Sequence, residues 1–201
     1  LSLLIVLFII CLICVSSVSF YSINDIKING DLYHEITSGK DLVADINPPP
    51  AYIIEAYAAV LEMATTKNHA DVVVLSEKLK TLHQNYEQRH EYWSENLKEK
   101  DVRSEFLETS YEPAELFFEL VEEEFIPAAL ACSSEKTEEL LRKLKPYYVM
   151  HRMSVERVSE LVNEDNAARE QLAADSIRNS VIVLLAVNVL GLVIIILIGL
   201  Y

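Results

Sequence analysis

Arg89 occupies a position where its helix would ordinarily place Leu or Ile. It stands in the series Val72, Leu75, Leu79, Leu82, Tyr86, Arg89 and Trp93, whose members step by three and four residues. A guanidinium drawn into an apolar stripe is costly unless an anion or several acceptors surround it. A ligand carboxylate gripped by two parallel hydrogen bonds would meet that need, and so would a structural partner such as Glu55 or Glu112. Aromatic and imidazole residues gather in matching segments: Tyr86, His90 and Trp93 in YEQRHEYW, Tyr111 in YEPAELF, Tyr148 and His151 in YYVMHR. Tyr52 and Glu55 follow directly on the triple proline 48–50. The aromatic rings could wall a pocket, and His90 and His151 would make binding pH-sensitive. The candidate ligand-binding set is therefore Tyr52, Glu55, Tyr86, Arg89, His90, Trp93, Tyr111, Tyr148 and His151, and the solute it suits is small and anionic or zwitterionic. The plainer alternative for the same residues is an internal ion pair at Arg89 with the tyrosines packed as core.

Other chemistries find less support. His83 and His90 are seven residues apart, too far for a metal pair on one helix, and no second group of ligand-type residues accompanies them in the sequence. No metal and no other cofactor is expected. There is no glycine-rich phosphate loop, no nucleophile elbow, no HExxH and no kinase signature, so the chain does not read as an enzyme. Cys11 and Cys14 form a CxxC, but within an apolar run, where they read as small fillers; Cys132 has no partner in its domain. The glutamates of 122–124 and 135–139 read as solvated faces.

The elements that must position these residues are helices. Glycine is scarce between the apolar ends, prolines cluster, and no alternating β-branched runs with hairpin turns occur. Two further stripes repeat the three-and-four spacing. One is Leu107, Tyr111, Ala114, Phe118, Val121, Phe125 and Ala128. The other is Leu140, Leu144, Tyr147, His151, Ser154, Val158, Leu161, Asp165, Ala168 and Leu172. Nearly parallel helices bury such stripes against one another. Breaks are expected at Asn47 with the prolines 48–50, at the polar run 65–69, at the charged run 98–103, and at Cys132, Ser133 and Ser134. Beyond residue 135 only Pro146 interrupts, so the last helix is expected to run on to the end of the chain. The fold class is all-α: an up-down four-helix bundle on a two-helix stalk. Counting about 17 residues, or about 25 Å, down from the distal turns brings the triple proline, YEQRHEYW, YEPAELF and YYVMHR to one level.

Charge is segregated. The chain has 201 residues with 17 basic and 31 acidic side chains, a formal net charge of −14, yet 51% of it is hydrophobic. No charged residue occurs in 1–24 or 179–201. Residues 1–20 and 180–201 are each long enough to span a bilayer core of about 30 Å, and they are read as two membrane spans flanking a domain over 21–179. A cleaved signal peptide is the rival for the first run, since 16–19 supplies small residues after an apolar stretch. The chain begins with Leu and stops as the second run ends, so it reads as a fragment whose output half follows. The strongly negative middle, without a basic stripe, speaks against nucleic acid as a partner.

The run 40–57, KDLVADINPPPAYIIEAY, resembles the sensor region of a group of bacterial methyl-accepting chemotaxis receptors, which carry D-L-V-x-D-I-x-P-P-P-x-Y-I-I-E at this place. YEQRHEYW, SYEPAELFF and EEEFIPAAL resemble that group's middle motifs. Asn47 departs from it, standing where an apolar residue is common. The resemblance covers about residues 20–180. It implies a periplasmic four-helix ligand-binding domain in an inner-membrane homodimer. In that family a HAMP linker and a methylated cytoplasmic coiled coil follow and control a histidine kinase.

A chemoreceptor input module that binds a small solute and signals through its last helix is thus the expectation. The rivals are the input domain of a sensor histidine kinase or cyclase, and a membrane-anchored helical adaptor for a protein partner. Dimerisation is expected in each case, because a lone two-helix stalk buries little.

Overall fold

The computed structural model describes residues 6, 8–10, 13–17, 19–20, 31–46 and 53–199. Among them there is no strand, and the chain is all-α. The helices are α1 (Asp31–Ile46), α2 (Ile54–Thr65), α3 (His69–Asn96), α4 (Lys100–Ser104), α5 (Tyr111–Leu120), α6 (Ile126–Leu130) and α7 (Ser134–Gly199). Two π-helical turns, Glu105–Thr109 and Val121–Phe125, join α4 to α5 and α5 to α6. The prolines 48–50 and Tyr52, with the level they were expected to mark, lie outside the described residues.

The breaks have readable chemistry. Asn68 caps α3 by accepting the Ala70 N–H at 3.1 Å, and Glu99 caps α4 by accepting that of Asp101 at 3.2 Å. After α6 the chain turns at Cys132, whose φ of 55° is left-handed. There Ser133 N–H donates to the Ala128 carbonyl and Cys132 N–H to that of Ala129, both at 3.0 Å, which together close the helix end. Pro146 sits inside α7 without ending it.

The π turns explain a departure from the expected stripe over 107–128. Each precedes a proline, Pro113 and Pro127, whose ring lacks an N–H and crowds the carbonyl four residues back. The helix accommodates this by widening: Ser110 N–H reaches back to Glu105 at 2.9 Å and Ile126 N–H to Val121, each five residues away. One residue is added at each turn, so the buried face is set by Phe106, Ser110, Ala114, Phe117, Phe118, Val121 and Phe125, while Leu107 and Tyr111 are only partly covered. The last stripe also drifts. Ser154 and Val158 are buried as the stripe requires, but beyond them the buried positions are Val162 and Asn166, with Val155 also enclosed, and Ala168 and Leu172 are exposed. An α-helix with 3.6 residues per turn rotates away from a strict seven-residue repeat, which is why the extrapolated positions leave the core.

The described helices divide into two compact units, 39–164 and a second made of 1–38 with 165–201. In the first unit, α2, α3, the stretch from α5 to α6, and α7 all contribute to one apolar core built on Val60, Leu79, Phe117, Phe118, Phe125, Leu140 and Leu144. A second core joins Leu42 and Ile46 of α1 with Trp93, Leu97, Val102, Phe106, Val155, Val158 and Val162. In the other unit Arg169 bridges Asp165, at 2.6 Å, and Glu35. Burial pushes the Asp165 carboxyl upward.

One helix among the described residues is long and apolar enough to cross a membrane, Ser134–Ile194, through its uncharged C-terminal part. Asn188, the polar residue in that part, donates its amide to the Leu184 carbonyl at 2.7 Å, so its side chain is satisfied by its own helix. Of the first expected span, the described residues 8–10 and 13–17 are helical.

Candidate functional site

Of the nine residues singled out in the sequence, Tyr52 lies outside the described residues, and the other eight fall into separate groups. Tyr86, His90, Tyr111 and His151 come together. Tyr86 stacks on Tyr111 with centroids 6.2 Å apart, His90 on Tyr111 at 3.8 Å, and His151 meets the Tyr86 ring edge-on at 5.8 Å. Both histidines are oriented by backbone carbonyls around the first π turn. His151 Nδ1–H donates to Ser110 O at 2.8 Å, and His90 Nε2–H donates to Leu107 O at 3.2 Å. Since a carbonyl can only accept, these contacts fix which nitrogen carries hydrogen. Burial pushes the fully enclosed His151 down to about 4, against a smaller upward pull from the Ser110 carbonyl. Burial also raises Tyr86 and Tyr111, with Glu87 adding to both, so the two phenols stay protonated.

Arg89 and Trp93 form a second group, and their partner is Asp45 of α1. Arg89 Nη2 donates to Asp45 Oδ2, and Trp93 Nε1–H donates to the same oxygen at 2.8 Å. The guanidinium also lies over the Tyr92 ring at 4.7 Å and the Trp93 ring at 5.9 Å. Its Nε is closed off from solvent and has no hydrogen-bond partner. The expected structural partners, Glu55 and Glu112, are thereby corrected to Asp45. Glu55 instead pairs with Lys78 at 3.1 Å on the exposed side of α2. Helix periodicity placed Arg89 on a buried face, but no spacing rule connects residues 44 apart in the chain. The signal that could have found Asp45 was its place in the DLVADI run, one residue before the buried Ile46.

Tyr148 belongs elsewhere again. It stacks on Tyr57 at 4.2 Å, and Tyr57 in turn meets Phe117 edge-on at 6.3 Å. Burial raises the Tyr57 phenol, and the neighbouring Tyr148 raises it further.

A third group was not anticipated. His83 and Glu87 stand one turn apart on α3, opposite Glu115 of α5 and Glu122 of the second π turn. His83 Nδ1 lies 2.8 Å from Glu122 Oε1, and Nε2 lies 3.4 Å from Glu115 Oε1. The ring is held flat against Phe118, centroids 4.3 Å apart and 9° from parallel. Tyr111 O–H donates to Glu87 Oε2 at 3.2 Å. Burial, then the neighbouring Glu115 carboxylate, pushes the Glu87 carboxyl above its ordinary range. The sequence showed no ligand-type residues accompanying His83 because its neighbours come from another helix; only the i, i+4 pair His83–Glu87 was visible.

Compared with models of protein families, with curated proteins and with solved structures, the chain matches none.

Proposed function

We propose that the chain is the input module of a transmembrane receptor of the chemotaxis type. In this reading 21–179 is an up-down four-helix bundle on a two-helix stalk, in the periplasm, and 1–20 and 180–201 are spans of a bacterial inner membrane. The protein works as a homodimer, binds a small solute and passes the signal to a cytoplasmic kinase-control output. No catalytic step is assigned to it.

The observation that carries the proposal is the single helix Ser134–Gly199, which holds both His151 and Tyr148 and the uncharged apolar stretch. Tyr148 and His151 both lie beyond Pro146, whose missing N–H interrupts the ladder above them, and the helix that runs on from there transmits a displacement along its axis. A solute with higher affinity for one axial position shifts the population toward it, and only by the amount of that difference. The segments that resemble the chemotaxis group support the same reading, since Asp45 and Arg89 lie in two of them.

The ion pair narrows the solute class. A simple anion that captured Arg89 would leave the Asp45 carboxylate, about four-fifths covered, without its cation. A zwitterion opens the pair and satisfies both ions, ammonium to Asp45 and carboxylate to Arg89. An amino acid or a similar zwitterion is thus the preferred ligand.

A thermal-shift screen of the full chain in nanodiscs tests this against amino acids, organic acids and amines. A binder raises Tm with concentration by mass action, and the rise is lost in Arg89→Ala. A folded sample that responds to no solute would favour the helical adaptor instead. The input domain of a sensor histidine kinase or cyclase shares every feature named here and differs only in the output joined to it.

A further inference from the structure

We infer that His83, Glu87 and Glu115 form a binding site for one divalent transition-metal ion, with zinc the expected occupant. The inference does not rest on the receptor reading and concerns a different group of residues from Asp45, Arg89 and Trp93.

One ligand atom from each of His83, Glu87 and Glu115 lies within 4.8 Å of the other two. Bonds of about 2.0–2.2 Å from nitrogen and carboxylate oxygen to zinc would close that triangle with side-chain adjustment alone. The two helices supply the set in a fixed way. His83 and Glu87 share a face of α3 at i, i+4, and Glu115 approaches from α5.

The hydrogen bonding around the triangle fits a metal site. At 2.8 Å the Nδ1–H of His83 donates to Glu122, so in the neutral ring Nε2 carries a lone pair. A protonated ring would donate Nε2–H to Glu115 Oε1 at 3.4 Å; in the neutral ring the lone pair faces that oxygen, and a metal ion takes the place of the proton between them. Imidazoles that bind metal typically donate their other N–H to a carboxylate, and Glu122 is in that position. Glu87 is oriented in the same manner: Tyr111 O–H holds Oε2, while Oε1 is closed off from solvent and has no hydrogen-bond partner. The Glu87 carboxyl also lies against that of Glu115, and two carboxylates side by side repel unless a proton or a cation is shared between them, which a metal ion would supply. Phe118 fixes the plane of the imidazole from below.

Nitrogen in the ligand set selects first-row transition ions over magnesium and calcium, which prefer oxygen alone. Three protein ligands leave a coordination position open. All three are partly exposed, so an ion and a water or small ligand can reach the site.

The test uses the full chain in nanodiscs, stripped with a chelator and titrated with Co2+ as a spectroscopic stand-in and then with Zn2+. One equivalent of Co2+ should give the visible absorption of a low-coordinate N/O site, and Zn2+ should displace it while Mg2+ and Ca2+ do not. His83→Asn and Glu115→Gln should each abolish the band. Glu122→Gln and Tyr111→Phe, which remove only the orienting partners, should weaken binding by about 10–100-fold. Folding of each variant is checked by its helical circular dichroism in chelator. The inference is overturned if no band forms at one equivalent, if it persists in His83→Asn and Glu115→Gln, or if Mg2+ competes as well as Zn2+.

Discussion

The carboxylate of Asp45 receives the indole N–H of Trp93 at 2.8 Å, on the same oxygen that takes the guanidinium of Arg89. One carboxylate on α1 thus anchors two residues a helical turn apart on α3. It also draws a charged pair to the edge of the core formed by Leu42, Ile46, Trp93 and Phe106.

This sharing makes the three residues energetically dependent. The Asp45 and Arg89 side chains retain 20% and 32% of their exposure, so solvent screens the pair in part. Asp45→Asn and Arg89→Gln should each destabilise the fold, and a double-mutant cycle should return a coupling of about 1 kcal/mol. Trp93→Phe, which removes the third partner, should cost about 1 kcal/mol more than its lost area explains. Because Trp93 is the sole tryptophan, its fluorescence follows unfolding in the first two variants, and circular dichroism follows it in the third.

His151 gives the fold an acid limit. Its pKa is held at about 4 against 6.5 in the unfolded chain, so between these values the unfolded state binds the extra proton. The contribution is fully present above pH 6.5, and it is lost as pH falls toward 4, by about 3 kcal/mol in all. Denaturant unfolding of wild type and His151→Gln over that range should show the steeper loss in wild type. Parallel pH profiles would contradict it.

Cys132 is the one described non-glycine residue with positive φ, and it sits where helix ends favour glycine. Cys132→Gly should raise stability by about 1 kcal/mol, read as a higher denaturation midpoint at unchanged slope.

What the sequence could and could not show follows from the range of each interaction. The all-α class and the breaks near 66–68 and 131–133 rest on periodicity and caps, which are local, and they are where spacing places them; the break expected over the charged run 98–103 is only 97–99, because Glu99 caps a helix that starts at Lys100. The burial of Val72, Leu79, Tyr86 and Trp93 follows from the same rule. The π turns were hidden because a proline signals a disturbed helix without saying whether it bends, ends or widens. Asp45 opposite Arg89, and Glu115 and Glu122 around His83, are pairings between helices, and helix period carries no information about which residue a neighbouring helix brings across. His151 was legible as a residue on a buried stripe, but its partner, the Ser110 carbonyl, depends on the turn before Pro113.

The central claim is that solute binding in the helical domain is passed on through the last helix. The direct measurement joins residue 201 to the kinase-control output of a chemotaxis receptor and follows kinase activity in cells lacking other receptors. With the solute found by thermal shift, activity should change over the same concentration range as the rise in Tm, and Arg89→Ala should abolish both. A solute that raises Tm yet leaves the kinase unchanged at saturation would contradict the account.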